Sequence, residues 1–202
     1  MTYVPIFLGG VMKACGNTPP IEIKNKDKWI MIEKNRWARN FQIPMADKAP
    51  EPFPQATLHA QRALCAISLA FPDKLDDCLA ALYHTFWVER QTIGKPEVFG
   101  PVLQKVLGEA DAKTVMEKMA SPEVKKLLVD NTDLSIKEGA FGLPWFVATN
   151  SNGEKEGYVG VVDLNRTTTL LTENRFWGFD HLGQVIDHLG LERKEEGFRA
   201  ML

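Results

Sequence analysis

The sequence predicts an α/β fold in which a sheet domain is split by a large inserted all-helical domain. A helical pattern runs from Thr57 to about Thr132 without a strand signal inside it. Strand-like segments flank it, Thr2–Leu8 on one side, Trp145–Thr149 and Phe176–Gly178 on the other, and an amphipathic helix closes the pattern. A contiguous block of helices set between strands is best accommodated as an insertion into a sheet domain. The expected division is a sheet part over 1–56, the helical insertion over 57–135 and a second sheet part over 136–202.

The elements follow in order. Thr2–Leu8 is rich in β-branched and aromatic residues and runs into Gly9-Gly10, a strand followed by a turn. It reads as the middle of a strand, so the chain is expected to begin inside structure. Gly16-Asn17-Thr18-Pro19-Pro20 is a loop. Lys26–Asn40 places Trp29, Ile32, Glu33 and Trp37 at helical spacing, with Asn25 or Asp27 as the cap. From Gln42-Ile43-Pro44 to Pro54 the prolines stiffen an extended segment.

Within the helical block, Ala60, Ala63, Leu64, Ile67 and Leu69 repeat at helical spacing, and so do Leu75, Cys78, Leu79, Leu82, Tyr83 and Phe86. Shorter helices fit Pro96–Leu107, Ala110–Ala120 and Ser121–Asn131, with Pro96 and Pro122 in first-turn positions. After the junction at 139–144, Trp145–Thr149 is a strand and Asn150–Gly153 a turn. Phe179–Leu189 is the last helix, stopped by Gly190, and a charged tail follows from Glu192.

Composition narrows the function classes. The chain has 202 residues, 45% hydrophobic and 25% charged, which suits a globular protein able to bury a core. A net charge of −2 supplies no basic field for nucleic acid or an anionic membrane. No apolar run approaches the length of a bilayer span. The three cysteines, Cys15, Cys65 and Cys78, form no Cys-x-x-Cys, and the four histidines form no metal-ligand pattern. Free thiols in a reducing compartment are expected, and no metal site.

The segment that points to function is Gly139-Ala140-Phe141-Gly142-Leu143-Pro144, running straight into an apolar strand. Proline is tolerated at a strand start because its missing N–H falls outside the ladder. Such a junction can hold a cis bond, and it leaves the Leu143 backbone able to pair with an extended ligand. Asp180, at the start of the last helix, reads either as a helix cap or as an anion positioned for a ligand cation. Taken alone, Asn17 and Lys26 read as solvated loop residues, and Cys15 as a packed or incidental thiol. Phe86, Trp87 and Trp177 fit a core as readily as an apolar pocket.

Taken jointly, the Gly-Ala-Phe-Gly-Leu-Pro junction and Trp177-Gly178-Phe179-Asp180 resemble motifs of the kappa class of glutathione transferases. Gly10-Val11-Met12-Lys13, Gly16-Asn17-x-Pro19-Pro20 and Gln42-Ile43-Pro44 extend the likeness over essentially the whole chain. That class is a branch of the DsbA-like thioredoxin superfamily, with 2-hydroxychromene-2-carboxylate isomerases as close relatives. The resemblance implies a thioredoxin-like fold and a glutathione site. In it, the Leu143 N–H and C=O would receive the cysteinyl part of glutathione, with Pro144 fixing the strand end through a cis bond. The Phe179 and Asp180 amides would meet the γ-glutamyl carboxylate, and the Asp180 side chain its ammonium. Lys26 and Asn17 would contact the remaining glutathione groups, Lys26 as a point charge for a carboxylate.

The family pattern also contains a first strand and helix carrying a Ser-Pro-x-Ser type motif whose serine donates to the glutathione sulfur. This unit is expected to be missing here, and no Ser-x-x-Ser or Cys-x-x-Cys takes its place. No residue is therefore assigned a catalytic role. A hydrogen bond to a charged group contributes about 1.5–3 kcal/mol, so without it the bound thiol is expected to be about 1–2 pKa units less acidic. Residues 157–172 lengthen what is usually a short connection, either as an added edge strand or as part of a lid.

The function expected from the resemblance is transfer of glutathione, as co-substrate, to hydrophobic electrophiles, with peroxide reduction as a related activity. Two alternatives stand beside it: a glutathione-binding or interaction protein without turnover, and a glutathione-dependent isomerase. The resemblance further implies a homodimer in mitochondria or peroxisomes, with the cytoplasm left open. Ala200-Met201-Leu202 is a poor likeness of a peroxisomal Ser-Lys-Leu tail.

Overall fold

The structure is a computed structural model, and it describes residues 1–151 and 174–192. Its described elements are predominantly helical: α1 (Leu8–Cys15), α2 (Lys26–Asn40), α3 (Leu58–Ala70), α4 (Leu75–Trp87), α5 (Pro96–Leu107), α6 (Glu109–Lys118), α7 (Pro122–Lys137) and α8 (Leu182–His188). The described strands are β1 (Trp145–Ala148) and β2 (Asn174–Trp177), paired antiparallel. Two units are formed. One comprises 1–10 with 18–134, and the other 11–17 with 135–202.

The first unit is built on the helical repeat of the sequence. Ala60, Ala63, Leu64 and Ile67 of α3 are buried together with Leu75, Cys78 and Leu82 of α4. Phe99 and Leu103, four residues apart on α5, complete that core with Val115 of α6 and Val124 and Leu128 of α7. Pro96 occupies the first turn of α5, where its missing N–H costs no helix bond. Ser121 caps α7, its Oγ accepting the Val124 N–H at 3.2 Å. The helix α2 has the bounds the spacing predicts, but Asn25, at its N-cap position, has left-handed backbone and makes no side-chain capping bond.

Phe86 and Trp87 meet edge to face at 4.8 Å, and Phe53 of the proline-rich segment lies against both. These two rings are therefore core for that segment, as the bland reading of the sequence has it. The proline-rich segment is tied further by the Ala46 N–H donating to the Trp87 carbonyl at 2.8 Å and by Lys34 Nζ donating to the Ala46 carbonyl at 2.5 Å.

One expectation is overturned. Thr2–Leu8 is not a strand: residues 1–7 pair with neither β1 nor β2, and Gly9-Gly10 lies inside α1 rather than in a turn. The reason lies in the backbone's hydrogen bonds. Side chains of α7 take up this segment's polar groups in place of a sheet ladder. Thr132 Oγ1 accepts the Phe7 N–H at 3.1 Å, and Asn131 Nδ2 donates to the Pro5 carbonyl at 3.0 Å. Residues 157–172, the 193–202 tail and the last part of the 150–153 turn lie outside the described residues.

Thr132 is buried, and its hydroxyl also donates to the Leu128 carbonyl at 2.7 Å. Replacing it with valine keeps the shape and orphans the Phe7 amide. Thr132→Val is expected to lower unfolding free energy by about 1–2 kcal/mol, from the lost Leu128 and Phe7 hydrogen bonds and a partly buried donor left unsatisfied. Urea denaturation followed by circular dichroism measures it, and a change under about 0.5 kcal/mol, within the ordinary range for surface substitutions, would refute this role for Thr132.

Candidate functional site

The second unit contains the Leu143–Pro144 junction, and hydrogen bonds at two helix ends place it. The helix α1 ends in a Schellman motif: the Gly16 N–H donates to the Lys13 carbonyl at 3.4 Å, and the Asn17 N–H to the Met12 carbonyl at 2.8 Å. The helix α7 ends in the same way, with Gly139 N–H to Ile136 carbonyl and Ala140 N–H to Ser135 carbonyl, both 2.9 Å. Gly16 (φ 64°) and Gly139 (φ 90°) supply the left-handed residue that this cap requires.

The residues just beyond the two caps meet. Asn17 Nδ2 donates to the Phe141 carbonyl at 2.8 Å, and the Cys15 thiol lies 3.3 Å from the Ala140 carbonyl. Two consecutive carbonyls of the loop are thus satisfied by side chains. Leu143 itself is exposed, and it has no backbone hydrogen bond among the described residues. The Leu143–Pro144 peptide bond is cis.

Strand pairing brings the second motif alongside. Trp145 pairs with Trp177, and the ladder continues one step further through the Gly178 N–H, which donates to the Pro144 carbonyl at 3.0 Å. Pro144 therefore stands opposite Gly178, two residues before Asp180. The Asp180 carboxylate is solvent-accessible, and its Oδ1 lies 3.5 Å from His181 Nδ1. The same Oδ1 sits only 2.5 Å from where a Cβ on residue 178 would be, so this carboxylate position requires a residue without a side chain there.

Of the residues read from the sequence, Asn17, Leu143, Pro144, Phe179 and Asp180 all belong to this unit, around one end of the β1–β2 pair. Lys26 belongs to the other unit, where it is exposed at the first position of α2. Phe179 and Asp180 open a short 3-10 turn that leads into α8. Sequence reasoning missed three participants. Cys15 engages the loop through its thiol, Trp145 Nε1 is an enclosed donor without a hydrogen-bond partner among the described residues, and the enclosed His181 Nδ1 makes no hydrogen bond there but lies 3.5 Å from the Asp180 carboxylate. The Gly16-Asn17 cap signal marks where α1 ends, but nothing local to it announces a partner at Ala140–Phe141.

The cysteines divide sharply. Cys65 and Cys78 are fully buried, and burial pushes both thiols up to about 11; for Cys78 the neighbouring Asp77 carboxylate adds to the effect. At neutral pH both are protonated and out of reach of solutes. Cys15 is exposed. Among the described residues no group of three or more His, Cys, Asp or Glu side chains is arranged to hold a metal ion. A shallow cleft of about 330 Å³ lies along α2 and residues 42–47, lined in part by Asn35, Arg39 and Asp47, and it includes none of the expected glutathione residues.

Iodoacetamide at pH 8 is expected to modify Cys15 alone in the folded protein, with Cys65 and Cys78 reacting only above about pH 11 or on unfolding. Peptide mass spectrometry after timed labelling reads this out. Native labelling of Cys65 at a rate comparable to Cys15 would contradict the burial described.

Comparison with known proteins identifies the family and its relatives. The family model for a DSBA-like thioredoxin domain matches residues 1–172. Over 148 residues the chain is 31% identical to glutathione S-transferase kappa 1 of Rattus norvegicus and 29% identical to the Homo sapiens protein of the same name; both matches cover 71% of this chain and 66% of the relative. A glutathione S-transferase kappa 1 of Caenorhabditis elegans is 25% identical over 164 residues, 78% of this chain and 71% of the relative. The chain thus spans just under two thirds of the rat and human relatives, and the kappa-class resemblance read from its motifs holds.

Proposed function

The chain belongs to the DSBA-like thioredoxin domain family, and from that premise we propose that it binds glutathione at the Leu143–Pro144 junction and serves as a glutathione transferase of the kappa type. The observation that carries the reading is the Leu143 backbone at the mouth of β1, without a hydrogen bond among the described residues, with the Gly178–Asp180 segment held beside it by strand pairing. A tripeptide can add to such an edge through main-chain hydrogen bonds alone, which fits the central cysteinyl residue of glutathione. The Asp180 carboxylate then pairs with the γ-glutamyl ammonium, and the Phe179 and Asp180 amides face its carboxylate. Asn17 completes the set within this unit, and the family resemblance alone adds Lys26, as a charge for a carboxylate.

In the reaction the glutathione thiolate attacks a hydrophobic electrophile, forming a carbon–sulfur bond as the leaving group departs with the electron pair of the broken bond. Reduction of a peroxide by the same thiolate is a related activity. The thioredoxin-like half with a helical insertion, the homodimer and a mitochondrial or peroxisomal setting are parts of the same proposal. A second reading is glutathione binding without turnover, since the groups gathered at Leu143–Pro144 and Asp180 suit the backbone and charges of glutathione and not its sulfur.

Isothermal titration with glutathione, followed by conjugation to 1-chloro-2,4-dinitrobenzene, tests both readings. Binding is expected, and Asp180→Asn should weaken it about 3- to 10-fold, the range for a charge pair at a partly solvated site. Binding with conjugation supports the transferase, and binding without it the second reading. Absence of binding by the unaltered chain refutes both.

A further inference from the structure

The Leu143 edge is held ready by something other than its own sheet. Between Gly139 and Trp145 the chain has left α7 and has not yet entered β1; the Schellman bonds hold its start at 139–140 and the Gly178 N–H holds its end at Pro144, with 141–143 between those anchors. Side-chain hydrogen bonds to this stretch come from the end of α1: Cys15 to the Ala140 carbonyl and Asn17 to the Phe141 carbonyl. Their donors are two residues apart in sequence, and the carbonyls they reach are adjacent. The Schellman cap at Gly16 gives the chain the bend that presents both donors to the same loop.

We propose that Cys15 and Asn17 are positioning residues that clamp the 140–141 backbone and so preorganise Leu143 for an extended ligand, an inference that rests on the glutathione reading above for the identity of that ligand. An edge that must order itself as the ligand arrives loses affinity to that ordering, whereas one already held does not. The clamp works by satisfying the carbonyls at 140 and 141 internally while leaving the polar groups of 143 unused. An amide N–H is a stronger donor than a thiol, so Asn17 supplies most of the restraint and Cys15 a smaller share. Asn17 therefore acts on the ligand through Phe141 as well as by any direct contact.

The test uses the full chain without ligand first. Backbone ¹⁵N relaxation should give order parameters of about 0.85 at Phe141–Leu143 in the unaltered protein, falling below about 0.6 in Asn17→Ala and Asn17→Asp, which both lose the donor. Glutathione affinity measured by titration should fall about 3- to 10-fold in both variants, and about 2-fold in Cys15→Ala, the scale of one or two lost hydrogen bonds. Cys15→Ser retains a donor and should match the unaltered protein in both measurements. Should either Asn17 variant fail to melt cooperatively, the Cys15→Ala and Cys15→Ser pair decides alone. Unchanged order parameters at 141–143 in the folded variants overturn the clamp, even if binding weakens, because Asn17 would then act by ligand contact only. Order parameters that fall as expected in a protein that never binds glutathione support the clamp and refute the glutathione reading instead.

Discussion

Backbone N–H and C=O groups that leave a helix must find partners, and the described part of this chain has only one short strand pair to offer them. The fold meets that demand with side chains projected from helices. Asn131 and Thr132 of α7 take up Pro5 and Phe7, Lys34 of α2 takes up Ala46, and the end of α1 takes up Ala140 and Phe141. Each is an extended or irregular stretch that would otherwise hold its polar groups to water. Net hydrogen-bond contributions are modest, about 0.5–1.5 kcal/mol each, but an enclosed group left unsatisfied costs more. The arrangement therefore specifies where each stretch runs more than it adds to stability.

The same accounting explains what was legible in the sequence. Helices with buried faces follow from local spacing, and α2 and α5 begin and end where their apolar periodicity, prolines and flanking residues place them. The two strand segments and the Gly-Leu-Pro junction were readable too, though not the strands' pairing, because proline and glycine punctuate the chain strongly. Thr2–Leu8 failed for a reason composition cannot reveal. β-branched and aromatic residues describe a segment that fits a sheet, and whether a sheet edge is present beside it is a tertiary fact. Here α7 side chains occupy the positions a neighbouring strand would use.

The site was half legible in the same sense. Leu143, Pro144 and Asp180 stand in recognisable motifs, yet their closeness depends on the pairing of Trp145 with Trp177 across a long connection. The contact of Asn17 with Phe141 spans 124 residues of sequence, and the thiol of Cys15 reaches Ala140 across 125. Nothing in either local sequence encodes such a distance. What the sequence does encode is the pair of glycine caps, Gly16 and Gly139, that end two helices abruptly and deliver the following residues to one another. Gly16 and Gly139 were readable as loop and turn residues; that they cap two helices and serve one site was not.

Recognition and reactivity are separable in such a site. In the proposed site, main-chain pairing at Leu143 and the charge of Asp180 would act on the backbone and charged groups of a tripeptide and not on its sulfur atom, so they would set affinity and orientation without supplying a donor to the thiol. Making a thiolate at neutral pH requires a donor or positive charge at the sulfur itself, because an unassisted thiol with a pKa of about 8.5 is only a few per cent ionised there. The chain's own buried thiols show the opposite effect: enclosure without a cationic partner raises the pKa of Cys65 and Cys78 to about 11. A pocket that only excluded water around the bound sulfur would move it the same way and suppress attack. Turnover therefore depends on a polar group aimed at the sulfur, a requirement that the clamp, the cis junction and Asp180 leave untouched.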